Sequence, residues 1–240
     1  MKILINHLTR MQPGYICVAG IDLETGAHIR PVLGNARLTT GLLSRNGGPF
    51  ELGCVVDLGP TVHVGRAPEH EDHRFDPAKA ACLGCVPDDY FWDTLRDSAS
   101  DALQGIFGKD LAKHEKSCVM DVGKGKASLG CLAPRGRPSL YVNRHGSVRI
   151  SFPWLSPSAD LSVTDLRFCE EDHKTPRKSL ISHFQKELKA GTGVILSVGL
   201  TRPWRKEGDA VARHWLQVNN IHLEDDPLLD SATTSLPDTG

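Results

Sequence analysis

Apolar residues in the first third of the chain come in short runs broken by turn-forming residues. KILINHL lies at the start, GYICVAGID runs from Gly14 to Asp22, and HIRPVL follows the turn LETGA. Successive side chains of a strand point to opposite faces, so these runs predict a hairpin-rich β-segment. Tyr15, Cys17, Ala19 and Ile21 share one face of the second run, with Ile16 and Val18 on the other. Both faces are apolar, which predicts a strand covered on two sides. A polar loop from Gly34 to Pro49 separates these runs from ELGCVVDLGPTVHVG, a further strand or pair of strands.

The period changes after Asp88. Phe91, Leu95, Ala99, Ala102 and Ile106 recur at helical spacing and predict a helix near 88–107, capped by Asp88 and ended by Gly108. Alternation returns in SLYVNRHGSVRISF, where a turn at Asn143-Arg144-His145-Gly146 joins two strands; Val148, Ile150 and Phe152 face a core, Arg149 and Ser151 solvent. DLSVTDLRF reads as another strand. Thr175-Pro176 opens a second helix, near 176–190, with the stripe Leu180, Ile181, Phe184 and Leu188, ended by Gly191. GVILSVGLTR and HWLQVNNIHL are strong strands joined by PWRKEGDAVAR. This order predicts a mainly β protein with helices (α+β): a unit over 1–125, a second over 126–223, and an acidic flexible tail over 224–240.

Leu-Thr-Arg closes an apolar run twice, as Leu8-Thr9-Arg10 and as Leu200-Thr201-Arg202. Residues two apart on a strand share a face, so Arg10 and Arg202 are expected at matching strand ends, each aimed beyond its sheet.

Composition narrows the class. With 240 residues, 40% hydrophobic and 24% charged, the chain has enough apolar material for one large core or two small ones. No run approaches the roughly 20 apolar residues of a membrane-crossing helix, and the MKILIN start lacks a signal peptide's apolar core, so a cytoplasmic location is expected. Seven cysteines without a secretory signal read as reduced thiols. The terminal LPDTG resembles a sorting motif but lacks the apolar span and basic tail that belong to one, and reads as coincidence or a tag.

The net charge of −1 hides a strong asymmetry. From Val122 to Ala159 there is no Asp or Glu, yet Lys124, Lys126, Arg135, Arg137, Arg144 and Arg149 are all present. Nucleic-acid backbones need cations in series, and stacking needs an exposed ring beside them. Arg135, Arg137, Tyr141, Arg144 and Arg149 form one candidate surface. Arg202, Trp204, Arg205, Lys206 and Arg213 form another, to which Arg10 is added as the counterpart of Arg202. The competing readings are a solvated strand face and, for Trp204, a loop anchor. Asn6 and His7 read as satisfied strand residues.

Glu69-His70-Glu71-Asp72-His73 is the densest group of potential metal ligands. On a strand Glu69, Glu71 and His73 would share a face and suit a divalent ion, which makes a metal-dependent hydrolase or nuclease the rival reading; a solvated acidic turn is the plainer one. Cys82 and Cys85 have the spacing of half a zinc site, with Cys118 and His114 as conceivable partners. Signatures of dinucleotide sites, P-loops, zincins and nucleophile elbows are missing, and no catalytic residue or cofactor is assigned.

The opening HLTRM, GYICVAGID and HIRPVL, with the closing VGLTRPW and HWLQVNNI, resemble the bacterial dual OB-containing domain family over about Met1 to Leu223. The resemblance implies two small OB-like Greek-key barrels, binding of DNA or RNA, single-stranded or structured, and association with bacterial conflict or mobile-element systems, with a protein partner there. It implies no catalytic residue. The Glu69 to His73 cluster and the CxxC are not matched to the family and stand as local features. A PUA-like or ASCH-like barrel, binding RNA or a modified nucleotide, would also explain the last segment. A third reading is an adaptor that docks a partner protein, its own acidic tail mimicking or shielding nucleic acid.

Overall fold

The computed structural model describes residues 1–154 and 158–229, so the LPDTG motif and most of the acidic tail lie outside the described residues. One eight-stranded sheet holds β1 (Lys2–Arg10), β2 (Tyr15–Asp22), β3 (His28–Val32), β4 (Leu38–Thr39), β5 (Cys54–Asp57), β6 (Val62–His63), β7 (Asp72–Arg74) and β8 (Ala81–Cys85). Its order is β6-β7-β3-β2-β1-β5-β8, with β4 beside β2. Then come α1 (Asp88–Ser98), β9 (Ala99–Ser100), α2 (Leu103–Phe107), β10 (Ala112–His114), β11 (Ser117–Asp121) and β12 (Leu129–Leu132). The chain continues through β13 (Ser139–Val142), β14 (Val148–Phe152), β15 (Ala159–Ser162), α3 (Lys178–Ala190), β16 (Val194–Leu200) and β17 (Arg213–Leu223). A six-stranded sheet runs β10-β11-β17-β16-β12-β9, and β13-β14-β15 form a third. The sheets curl into half-barrels and strand outweighs helix, giving an OB-like α+β fold.

Local pattern and structure differ in three places. The helix expected near 88–107 is interrupted, because Ala99 and Ser100 pair in parallel with Cys131 and Leu132. Ser100 also turns the chain, its hydroxyl donating to the Ala102 carbonyl. Strands β10 and β11 fall before residue 125 yet belong to the six-stranded sheet, where Val119 pairs with Trp215. The change of sheet therefore comes between Cys85 and Ala99, a consequence of pairing across almost a hundred residues that no local pattern carries. Beyond Leu223 the chain is not free at once: Leu229 is buried, and its carbonyl accepts from the Arg167 guanidinium.

Two bulges shape the contact between the units. In β1 the register with β2 slips between Ile5 and His7, so Asn6 is the extra residue. Ile3, Ile5 and then Leu8 consequently line the same core, and Asn6 and His7 are released from the alternation. In β17 the register with β16 slips at Asn219 in the same way, and Leu216, Val218, Ile221 and Leu223 all reach the second core. The two bulges face each other. Leu8 N–H donates to Asn220 Oδ1 at 2.7 Å, Asn220 Nδ2 donates to the Leu8 carbonyl at 3.3 Å, and the Asn219 amide lies 3.0 Å from His7 Nδ1. Helix α1 closes this seam with Phe91, Trp92 and Leu95 against Leu4 of the first sheet and Cys131 and Ile195 of the second.

Candidate functional site

The loop between β16 and β17 is pinned before it projects. Trp204 and Arg213 exchange backbone hydrogen bonds at 3.0 and 3.1 Å, closing the base of the loop. The Trp215 indole N–H donates to the Trp204 carbonyl at 3.4 Å. The two indoles lie 5.5 Å apart at 33°, and His114 meets Trp215 edge-on at 5.3 Å. Trp215 is buried as a floor while Trp204 is 48% exposed. Lys206 stands 5.7 Å over the Trp215 ring. Arg213 pairs with Asp121 at 3.2 Å, Lys206 lies 3.9 Å from Glu115, and Arg205 is exposed with no ion pair among the described residues. An exposed indole over an aromatic floor, ringed by cations, can stack a planar group and hold an anion beside it.

The hairpin surface is a different matter. Arg149 is bound on three sides: Nε to Asp160 Oδ1 at 3.1 Å, Nη2 to the Asp160 carbonyl, and Nη1 to Ser162 Oγ. Tyr141 donates to the other Asp160 oxygen at 2.9 Å, and burial followed by this bond pushes its phenol up. Arg135 pairs with Asp101. The stretch without acids in sequence thus meets acids from outside it, Asp160 immediately after it and Asp101 some way before it, once the chain folds. Arg137 reaches only the Lys189 carbonyl at 3.5 Å, and Arg144, at the hairpin tip, lies against the His145 ring. Hence Tyr141, Arg149 and Arg135 are held by partners, while Arg137 and Arg144 form no ion pair among the described residues.

Arg10 and Arg202 do sit at strand ends, and each crosses to the other unit. Arg10 Nη1 donates to the His173 carbonyl at 3.0 Å. Arg202 binds Asp72 at 2.6 Å and Glu69 at 2.8 Å, and Asp72 also accepts from Arg30. The acidic cluster is therefore not a solvated turn: Glu71 and Asp72 are buried. Both Glu71 oxygens are taken, by Ser128 N and Leu129 N on one and by Ser128 Oγ on the other. Glu69, Glu71 and His73 do not converge, and among the described residues no three His, Cys, Asp or Glu side chains form a metal-holding group. Cys85 is opposite Cys54 on β5 and forms a disulfide with it, which corrects the reading of seven reduced thiols and dissolves the half zinc site. Cys82 is exposed and Cys118 is buried, its thiol pushed up to about 12 by burial.

The seam holds polar residues that strand patterning passed over. Asn6 Nδ2 lies 3.4 Å from His28 Nε2, 3.3 Å from Cys131 Sγ and 3.4 Å from Ser197 Oγ. Ser197 Oγ donates to the Asn6 carbonyl at 2.9 Å and contacts His222 Nε2 at 3.1 Å. Burial holds His28 and His222 down at about 4 and His7 well below its ordinary value, so all three are neutral. The available signal was the run Asn219-Asn220, two adjacent amides in β17.

A family model described as a dual OB-containing domain matches residues 1–221. No curated protein matches the chain.

Proposed function

Because the chain belongs to the dual OB-containing domain family, we propose that it is a nucleic-acid-binding protein, without catalysis of its own, whose contact surface centres on Trp204. OB barrels bind strands across an open face and with their connecting loops, and the β16–β17 connection is such a loop. The observation that carries the reading is the half-exposed Trp204 indole beside Trp215, with Arg205, Lys206 and Arg213 around it. Bases stack on such a ring whatever their sequence, and the cations follow the backbone. The hairpin at Arg144 adds a second, weaker contact at most. A conflict-system or mobile-element setting follows from the family resemblance, and is tested by whether loss of the protein alters phage or plasmid survival in its host.

Fluorescence anisotropy with labelled single-stranded DNA, duplex DNA and single-stranded RNA tests the proposal. Binding to at least one, weakening steeply between roughly 50 and 200 mM salt, is the expected result. No binding to any of them at low salt overturns it.

A further inference from the structure

The acidic cluster divides in the fold. Its carboxylates turn inward to Arg202, Arg30 and Ser128, and what remains facing outward is imidazole. His63 on β6 and His73 on β7 are direct partners in the antiparallel register, at the outer edge of the eight-stranded sheet. Their ring centroids are 5.0 Å apart, inclined at 58°. Two imidazoles sharing one tetrahedral ion, each nitrogen at about 2.0–2.1 Å from it, have centroids about 5 Å apart.

Hydrogen bonding fixes which nitrogens are left over. A carbonyl only accepts, so His63 Nε2 carries the proton it donates to the His70 carbonyl at 2.8 Å. His73 Nδ1 likewise donates to the Glu71 carbonyl at 3.0 Å. In the neutral rings the lone pairs then lie on His63 Nδ1 and His73 Nε2. A ring that donates one N–H to a backbone carbonyl is the usual arrangement of a metal-bound histidine, because that bond sets the tautomer and orientation. Each ring here has such a bond. His63 is exposed and His73 half-buried, so the pair is open to solvent.

We propose that His63 and His73 form a two-histidine site for a divalent transition metal, zinc, nickel or copper, bound through His63 Nδ1 and His73 Nε2. Neutral imidazole suits these ions, whereas magnesium and calcium require the oxygen ligands that the fold has turned inward. No third His, Cys, Asp or Glu side chain completes a group among the described residues, so water fills the remaining positions. The ion clips β6 to β7, and β7 begins with Asp72, the carboxylate that holds Arg202 of the other unit. Metal binding should therefore stabilise the folded chain by mass action.

The test uses the untagged full chain, stripped with chelator, and calorimetric titration with nickel chloride and zinc chloride. One ion per chain and a rise in melting temperature with added metal are expected. His63→Ala and His73→Ala should each weaken binding at least tenfold, while His70→Ala and Cys82→Ser bind as wild type. Since His63 is an exposed edge residue, His63→Ala should fold normally, which circular dichroism checks. Electron paramagnetic resonance of the copper-loaded protein should show two nitrogen ligands, falling to one in His63→Ala. No uptake of either ion at millimolar concentration overturns the proposal, as does uptake that survives His63→Ala or disappears in Cys82→Ser.

Discussion

Asn220 stands in for a strand: its side-chain amide accepts from the Leu8 N–H at 2.7 Å and donates to the Leu8 carbonyl at 3.3 Å, so one residue of β17 satisfies both backbone groups of one residue of β1. Both residues are buried, Asn220 completely. Each sits next to a bulge, and the bulge is what frees the backbone groups of Leu8 for a partner outside its own sheet.

Asn220→Ala should leave both groups buried without a partner. An unsatisfied buried polar group costs about 1–3 kcal/mol, so a loss of about 3 kcal/mol is expected. Urea unfolding measures it. A loss below about 1 kcal/mol would show that water or a shifted backbone replaces the amide.

Acid should loosen the same seam. His28 and His222 are held at about 4 in the fold by burial and return to 6.5 on unfolding. The unfolded chain then binds more protons at intermediate pH, so stability is intact above about 6.5 and declines as pH falls towards 4. For the fully buried His222 the contribution is on the order of 3 kcal/mol. Urea midpoints between about pH 7.5 and 4.5 should fall, and His222→Gln should flatten that fall if the histidine causes it.

Arg202→Ala should act on stability rather than on ligand binding. The guanidinium is half-exposed, which reduces its worth, but its removal strips Glu69 of its cation and leaves Asp72 to Arg30 alone. A cost of about 1–2 kcal/mol is expected, with affinity for nucleic acid changed less than twofold. Weakened binding at unchanged stability would instead place Arg202 on the contact surface.

Trp204→Ala and Arg149→Ala should separate the two basic regions. Loss of a stacking ring is worth about 1–3 kcal/mol per base, so Trp204→Ala should weaken binding roughly tenfold or more while leaving the fold intact. Arg149→Ala, which removes the partner of Asp160 and Ser162, should lower stability and leave affinity within about twofold. The reverse pattern would move the interface to the hairpin.

What the sequence determined was local. Alternation located β1, β2, β3 and β5 of the first sheet, the β13–β14 hairpin, and β16 and β17, while β7 to β12 fell in stretches without a strand pattern; Gly191 ended α3 in a left-handed conformation, and Asn143 and Gly146 made the β13–β14 turn. The repeated Leu-Thr-Arg marked two strand ends correctly, and the closing strands with their cationic loop were visible as a unit. These features depend on neighbours within a few residues, which is the range over which backbone geometry and periodicity act.

Tertiary structure alone decided where the charges went. Arg149 and Arg135 look available because the chain around them lacks acids, but strand pairing brings Asp160 to Arg149, and the bend between β9 and α2 brings Asp101 to Arg135. Glu69 and Asp72 belong to what looks like a metal cluster, and an arginine 130 residues beyond Asp72 turns them into a clamp. Asn6, Asn219 and Asn220 carry no signal of their partners until two bulges bring the two strands face to face. Partners this distant leave no local period, and a buried polar group takes whichever partner the fold supplies, because staying unpaired costs more.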